Sequence, residues 1–194
     1  SDIVTKEMYT FQDKSGESLT LRPEGTAAVS RMFISNGLTQ KLPLKYFYRG
    51  PMFRYERPQK GRYRQFHQIG VELLGVSQPQ ADVEVIALAN MLLEALELSG
   101  NITLEINTLG NIQSRSHYRK VLVDYFNDHR EQLSEDSILR LDKNPLRILD
   151  SKDPGDRKLV EGAPNFNKYL DTESEIFFAS VCRKLDALSI SYHV

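Results

Sequence analysis

Cysteine and tryptophan are the rarest residues of this 194-residue chain, which has one cysteine, Cys182, and no tryptophan. A single cysteine cannot form an internal disulfide, which excludes the disulfide-rich class of small secreted domains and favours a reducing, cytoplasmic location. Apolar neighbours at helical spacing predict that Cys182 lies in the core. The four histidines have neither zinc-type spacing nor cysteine partners, so we predict no metal site built from protein ligands alone.

Long apolar runs are also missing. No stretch approaches the roughly 18 consecutive apolar residues that a bilayer-spanning helix needs, so we expect no membrane partner. The first seven residues are polar and acidic, and we expect no secretory leader. With 40% hydrophobic and 26% charged residues, the composition is that of an ordinary globular protein with one substantial domain and a small additional lobe.

What the chain does contain is a local concentration of arginine. Residues 49–64 hold six cations and one acid, although the whole chain has a net charge of −1. Alternating side chains predict strands over 52–55 and 63–69, with a turn at 58–61. Planar guanidinium groups bind phosphate in bidentate fashion, so the window predicts an anion site for phosphate or a nucleic-acid backbone. A solvated basic hairpin is the alternative, which the interleaved aromatic residues disfavour.

Before residue 111 the pattern alternates short strands with helices. The predicted elements are a hairpin over 8–21, a helix over 27–34, a strand over 44–48, the basic hairpin continuing to 74, a helix over 85–96 closed by Gly100, and a half-buried strand over 102–107. Antiparallel strands with helices packed on one face form an α+β fold.

From about residue 111 the chain becomes mostly helical and charged. Helices are predicted over 114–126, 134–141 and 172–188, the last opened by a capping box at 172–175. Prolines around 145, 154 and 164 indicate turns. A strand is predicted over 190–194. Both ends of the chain resemble cuts within a larger protein.

A strand–helix junction at residues 22–26 carries polar groups that suit a ligand. Glu24 and Thr26 supply a carboxylate and a hydroxyl where free backbone N–H groups face outward. Alternatively, either side chain only caps the helix. The choice between the two is left open by the sequence.

The second strand of the basic hairpin carries a further polar group of residues. Gln68, Gly70 and Glu72 lie on one face because side chains repeat every second residue along a strand. The missing side chain of Gly70 would leave room for a ligand, whereas the alternative is a solvated sheet face. Two carboxylates for an amine beside several arginines for phosphates predict a site that joins an amino acid to a nucleotide.

These segments resemble the catalytic core of bacterial histidyl-tRNA synthetase, a class II aminoacyl-tRNA synthetase. The resemblance rests on residues 22–26, 53–68 and 68–72, and it extends to 144–152, which is similar to the family's insertion domain. The Phe-Arg-x-Glu element at 53–56 is shared across class II enzymes. The loop that follows it and the Arg-Pro-Glu-Gly-Thr element are close to the histidyl type.

The resemblance implies a class II antiparallel sheet flanked by helices, with a small, mostly helical insertion domain. Residues 1–110 would be part of the catalytic core, with the second motif at about 45–74. Residues 111–190 would be the insertion domain, and 190–194 the start of the return to the core. The first motif, the catalytic-arginine loop, the third motif and the anticodon-binding domain are expected outside these 194 residues, so we expect the chain alone to be inactive.

The function implied by the resemblance is ATP-dependent activation of histidine to histidyl-adenylate, followed by transfer to the 3′ end of tRNA(His) by a cytoplasmic homodimer that uses ATP and Mg²⁺. Arg54 would be catalytic and hold the α-phosphate of ATP. Glu56 would lie beside the adenine or the ribose-phosphate edge, and Arg62 would reach the β- and γ-phosphates.

The resemblance also assigns the amino-acid and tRNA ends of the site. Glu24, Thr26 and Gln68 would bind the amino and carboxylate groups of histidine, and Glu72 would approach the imidazole. The residues expected near the tRNA acceptor end are Gln59, Lys60 and Arg64.

Three other functions are considered. A non-catalytic regulatory subunit of histidine biosynthesis has a similar fold but usually lacks the loop that this sequence keeps at 57–64. A nucleic-acid-binding module without catalysis leaves Glu24, Gln68 and Glu72 unexplained, since carboxylates oppose a phosphate backbone. A class II synthetase for another amino acid is the third.

Overall fold

The computed structural model describes residues 7–194. The chain divides into two compact units, a first one that ends at Val85 and a second, Ile86–Val194. The expected absence of a secretory leader mostly concerns residues 1–6, which lie outside the described residues. The functional boundary expected at residue 110 stays a prediction, because spatial compactness does not report which residues share a function.

The first unit opens with a short antiparallel hairpin, as predicted. Strand β1 (Thr10–Gln12) pairs with β2 (Ser18–Thr20). Asp13 closes the turn, because its Oδ1 accepts hydrogen bonds from the backbone N–H groups of Ser15 at 2.8 Å and Glu17 at 2.9 Å. Such side-chain bonds to nearby backbone are typical of aspartate in turns.

Helix α1 (Thr26–Ser35) follows and confirms the predicted helix; the chain leaves it through Gly37, whose φ of 57° favours glycine. Strands β3 (Leu44–Phe53) and β4 (Gln65–Leu74) then form a ten-pair antiparallel ladder from Leu44↔Leu74 to Phe53↔Gln65. The predicted strand at 44–48 and the first strand of the basic hairpin are therefore one continuous strand.

Both long strands are shorter at the loop end than predicted, so residues 54–64 form a loop. The amide of Arg54 still donates to the carbonyl of Arg64 at 2.9 Å. The next amide, of Tyr55, donates to the carbonyl of Glu7 at 2.7 Å and so leaves the ladder. Alternation in the sequence could not show that competing partner.

Helix α2 (Pro79–Ala95) confirms the next predicted helix but ends before Gly100, because Glu97 has a φ of 58°. The strands predicted over 102–107 and 190–194 do not form. In their place one parallel bridge joins Glu105 and His193. The amide of His193 donates to the carbonyl of Leu104 at 2.9 Å. A strand needs a ladder of such pairs, and alternating side chains do not supply its partner.

The second unit is mostly helical. Its other helices are α3 (Ile112–Asp128), α4 (Glu135–Lys143), α5 (Pro154–Glu161) and α6 (Thr172–Ala187). Helix α5 was predicted as a turn, but Asp153 caps it and Pro154 fits its first position. The cap of α6 is Asp171, which accepts from the amide of Ser174 at 2.8 Å, and not the predicted Thr172.

One hydrophobic cluster joins α3, α4 and α5 of the second unit. Its buried members are Tyr118, Leu122, Phe126, Leu133, Leu141, Ile148 and Leu159. They come from α3, α4, α5 and the turns between them, so the core is built from contacts close in sequence. Cys182 on α6 is half-buried and is not among the buried core. Within residues 7–194 no helix has the length and apolar character needed to cross a membrane.

A buried carboxylate joins several segments of the same unit. Asp156 is fully buried and accepts hydrogen bonds from the hydroxyls of three serines, namely Ser134 at 2.8 Å and Ser137 and Ser151 at 2.6 Å each. It also accepts from the amide of Ser134 at 2.9 Å. Burial by itself raises the pKa of Asp156, but these hydrogen bonds outweigh it and hold the pKa at about 2.

Candidate active site

One face of the β3–β4 ladder, called here the inner face, carries Gln68 and Glu72, two of the four residues predicted to bind the amino acid. The register pairs Tyr48 with Gly70 and Gly50 with Gln68, so the side chains at 68, 70 and 72 share one face, as predicted. Gln68 and Glu72 are half-buried, whereas Phe47 on the opposite face is 80% exposed. Gln68 and Glu72 therefore do not lie on the solvated face of the ladder.

Gln68 presents an unsatisfied acceptor on this face. Its Oε1 is buried and has no hydrogen-bond partner among residues 7–194. Buried polar atoms in folded proteins nearly always have a partner, and an exception needs an explanation. A ligand with a donor, such as an ammonium group, would supply it.

Thr26 and Glu72 meet across the two segments. The hydroxyl of Thr26 donates to Oε1 of Glu72 at 2.7 Å, although the residues are 46 positions apart in the sequence. Thr26 is therefore not the cap of α1. Glu24 does have the alternative, capping role, since its Oε1 accepts from the amide of Ala27 at 2.9 Å. Its Oε2 makes no hydrogen bond to any residue that the structure describes.

Arg54 lies directly after the end of β3 and is held on two sides. Its Nε donates to the carbonyl of Pro23 at 2.9 Å, and its guanidinium lies 5.1 Å from the centre of the Phe66 ring. The side chain is 25% exposed. Because Nε and one face of the guanidinium are already occupied, the terminal nitrogens are preorganised to bind an anion.

Glu56 connects Arg54 with the loop. Its carboxylate, only 19% exposed, lies 4.0 Å from Nη1 of Arg54 and 3.5 Å from Nη1 of Arg62. Arg62 itself is 64% exposed, so this pair contributes little to stability. One carboxylate between two guanidinium groups leaves local positive charge, which suits a polyanionic ligand.

The loop tip separates the three residues predicted to face tRNA. Gln59 and Arg62 close the tip through their backbones, with Gly61 at a φ of 79°. All three predicted residues are exposed, and the guanidinium of Arg64 lies 4.9 Å from the centre of the Tyr55 ring. Nε of Arg64 also donates to the carbonyl of Glu56 at 3.2 Å. Arg64 therefore braces the loop that Lys60 and Gln59 extend.

Two residues that connect the segments of the site were not singled out by the sequence analysis. The first is Arg22, whose Nε donates to the carbonyl of Pro51 at 2.8 Å and so joins the Glu24–Thr26 segment to β3. The second is Tyr48, whose ring fills the space at Gly70: a Cβ there would lie 2.1 Å from Cζ of Tyr48. The expectation that this space receives a ligand is wrong. The sequence signal that could have identified this contact is the glycine at position 70, which the hairpin register places opposite Tyr48.

A cavity of about 280 Å³ lies between α1 and β3. It is lined by Arg22, Gly25, Ala28, Val29, Met32, Tyr46, Phe47, Tyr48, Arg49 and Met52. None of the predicted site residues is among them, although Arg22, Gly25 and Tyr48 adjoin both the cavity and the polar site. The unsatisfied acceptor of Gln68 and the guanidinium groups of Arg54 and Arg62 belong to the polar site and not to the cavity.

Comparison with known proteins gives consistent results. The histidyl-tRNA synthetase family model matches residues 1–117. Histidine–tRNA ligase from Rhodospirillum rubrum is 60% identical over 194 residues, which are 100% of this chain and 47% of the relative. The enzyme of that name from Gluconobacter oxydans is 57% identical over 192 residues, or 99% of this chain and 46% of the relative.

Solved structures agree with the sequence relatives. The crystal structure of apo S. aureus histidyl-tRNA synthetase is 36% identical with a TM-score of 0.78, and the match covers 99% of this chain and 45% of that one. An ATP phosphoribosyltransferase regulatory subunit/histidyl-tRNA synthetase from Bacillus halodurans, at 23% identity and a TM-score of 0.57 over 98% of this chain and 52% of that one, shows the fold alone. The chain spans about half the length of the curated relatives it matches.

Proposed function

Because the chain belongs to the histidyl-tRNA synthetase family, we propose that it carries the histidine-activating part of a histidine–tRNA ligase. The observation that supports this most is the bond from Nε of Arg54 to the carbonyl of Pro23. Pro23 directly precedes Glu24, so the bond supports a site in which the cation proposed to bind phosphate adjoins the segment proposed to bind an amine. Activation of an amino acid requires these two ends to adjoin.

The reaction is in-line displacement at phosphorus. A carboxylate oxygen of histidine forms a bond to the α-phosphorus of ATP, and the bond from that phosphorus to the bridging oxygen breaks. Pyrophosphate leaves with the electron pair, and histidyl-adenylate remains. The histidyl group then passes to the 3′ end of tRNA(His), and AMP is released. Positioning and charge stabilisation carry most of the catalysis in such transfers.

Arg54 acts at the phosphate end by holding the α-phosphate as its negative charge is redistributed. Its fixed orientation means that little reorganisation is needed in the transition state. Arg62 binds the β- and γ-phosphates from the loop. Glu56 orients both guanidinium groups and lies beside the adenine or the ribose-phosphate edge.

The amine end binds histidine. Oε1 of Gln68 accepts from the α-ammonium group, which satisfies this buried atom. Thr26 and the free oxygen of Glu24 complete the contacts to the amino and carboxylate groups. Glu72 accepts a hydrogen bond from the imidazole and is itself oriented by Thr26.

Mg²⁺ would be supplied together with the nucleotide. Among residues 7–194 no group of three or more His, Cys, Asp or Glu side chains could hold a metal ion. The loop's carboxylate, Glu56, already lies between two arginines. Bound to the phosphates of ATP, the ion would neutralise charge, and the residues of this chain would orient the phosphates around it.

We further propose that the whole protein is a cytoplasmic homodimer that binds tRNA(His), with Gln59, Lys60 and Arg64 near the acceptor end. The exposed, basic loop tip supports the tRNA contact. The single cysteine supports a reducing compartment. No specific observation favours a regulatory subunit, since the loop is retained.

The test is ATP–pyrophosphate exchange by a full-length protein that carries these residues, measured with histidine and with the other amino acids one at a time. We expect exchange with histidine alone. Exchange with a different amino acid would assign another class II specificity. No exchange with any amino acid, from a protein that is folded and binds tRNA, would favour the non-catalytic alternatives.

A further inference from the structure

Tyr48 lies at the centre of the inner face, and the proposed mechanism assigns it no role. Its ring reaches across β4 so that a Cβ at Gly70 would lie 2.1 Å from its Cζ and 2.3 Å from its Oη. On its other side, a Cβ at Gly25 would lie 2.3 Å from its Cε2. Side chains never approach so closely, so the ring fits only because both positions are glycine.

Each of these glycines lies between two residues of the proposed amine end. Gly25 stands between Glu24 and Thr26 in the sequence. Gly70 stands between Gln68 and Glu72 on the inner face of β4. The Tyr48 ring therefore touches the midpoint of both segments and sets the distance between them.

The contact between the segments depends on that distance. The bond from the Thr26 hydroxyl to Oε1 of Glu72, at 2.7 Å, spans the same gap as the ring. The Tyr48 hydroxyl makes no hydrogen bond to any residue in the described part of the chain, so the ring is the part that acts as a spacer. A smaller side chain would let the segment before α1 approach β4 and change the geometry of all four histidine-binding residues.

We propose that Tyr48, packed between Gly25 and Gly70, is a positioning residue that sets the shape of the histidine pocket and so determines affinity for the amino acid. This inference rests on the proposed function. It assigns to Tyr48 a larger effect on histidine binding than on ATP binding, because the ring packs directly between Gly25 and Gly70 and is connected to Arg54 only through the segment that contains Pro23.

The experiment compares Tyr48→Leu with Tyr48→Phe in the full-length protein by ATP–pyrophosphate exchange. We expect Tyr48→Leu to raise the KM for histidine about tenfold, with the KM for ATP within about twofold, since misplaced binding groups lose affinity for the ligand they position. Tyr48→Phe retains the ring and should restore the histidine KM to within about twofold of wild type. Phe47→Leu, on the exposed opposite face of the same strand, is the matched control.

A second variant covers the case in which Tyr48→Leu does not fold. Gly70→Ala keeps the tyrosine but forces its ring to shift, and it should raise the histidine KM selectively as well. The inference is overturned if Gly70→Ala leaves that KM unchanged, if Tyr48→Leu weakens ATP and histidine equally, or if Tyr48→Phe is as impaired as Tyr48→Leu. Wild-type protein without histidine-dependent exchange would overturn the proposed function instead.

Discussion

In the second unit seven buried hydrophobic residues form one cluster, whereas in the described part of the first unit the buried hydrophobic residues are Met52, Ala81 and Val83. The first unit, like the second, leaves large apolar side chains exposed, among them Ile34 at 75% and Phe47 at 80%. Its half-buried positions hold Gln68, Glu72 and Arg54, which are costly to desolvate without partners.

The difference shows where stability and chemistry lie in this chain. In helices α3 to α5 and the turns between them, buried side chains pack against residues close in sequence. Substitutions there should therefore lower the free energy of unfolding. In the first unit, side chains 30 to 50 positions apart meet through polar contacts, as Thr26 and Glu72 do. Substitutions there should change ligand binding or catalysis while changing the free energy of unfolding little.

The largest effect is expected for Phe126→Ala, in the core of the second unit. Phe126 is 0% exposed and packs against Tyr125 at a ring distance of 5.4 Å. Removing a buried ring should lower the free energy of unfolding by about 3–5 kcal/mol. Urea unfolding followed by far-UV circular dichroism measures this, and hydrogen exchange assigns the loss to residues 86–194.

Phe47→Ala is the matched control for that comparison, because the same ring is exposed in the first unit. It should change the free energy of unfolding by no more than about 0.5 kcal/mol. If it costs as much as Phe126→Ala, the first unit has a core of its own and the contrast between the units is wrong.

The next largest effect is expected for Arg54→Ala in the full-length protein. Loss of a preorganised charge should raise the adenylation barrier by about 3–4 kcal/mol. The fall should appear mainly in kcat, since the charge develops in the transition state. Arg57→Ala, in the exposed part of the same loop, is the control. An Arg54→Ala enzyme within about threefold of wild type would remove Arg54 from the mechanism.

The helices of both units could largely be predicted from the sequence, because apolar spacing and capping residues are local signals. Helix α5 was missed because Asp153 and Pro154 serve a helix start as well as a turn. The predictions of strands at 102–107 and 190–194 were wrong because strand formation does not depend on local signals alone. Pairing depends on partners distant in the sequence, and only Glu105 and His193 find one.

The site residues were predictable as a set but their contacts were not. The faces of Gln68 and Glu72 follow from the two-residue repeat of a strand. The bond between Thr26 and Glu72 and the place of Tyr48 over Gly70 depend on how α1 meets the sheet. No periodicity in the sequence reports that arrangement.

A smaller, selective effect is expected for Glu72→Gln. A carboxylate accepts hydrogen bonds on both oxygens, whereas an amide can turn its own N–H toward the imidazole. Loss of a charge-assisted bond should cost about 1.5–3 kcal/mol, which raises the KM for histidine about tenfold or more. The KM for ATP should change little, as measured by pyrophosphate exchange. Equal weakening of both would indicate a fold defect.

Acid should destabilise the second unit through Asp156. Its folded pKa of about 2 lies below the ordinary value of 3.8, so the stabilisation is present above pH 3.8 and is lost as the pH falls through the folded pKa. We expect a loss of about 2 kcal/mol between roughly pH 5 and pH 2. Asp156→Asn should lack this component in urea titrations, while Asp124→Asn, at an exposed site, should retain it.

The smallest effect is expected for Lys60→Ala at the loop tip. An exposed lysine that meets one backbone phosphate contributes modestly and loses that contribution in salt, so the KM for tRNA should rise about threefold at low ionic strength and less at high. The rate of ATP–pyrophosphate exchange should be unchanged, because Lys60 lies at the loop tip and contacts no group of the amine end. Lys14→Ala, at the exposed turn of the other hairpin, is the matched control. An equal effect of the two variants on tRNA charging would show a general charge effect, and the loop tip would lose its proposed contact with the acceptor end.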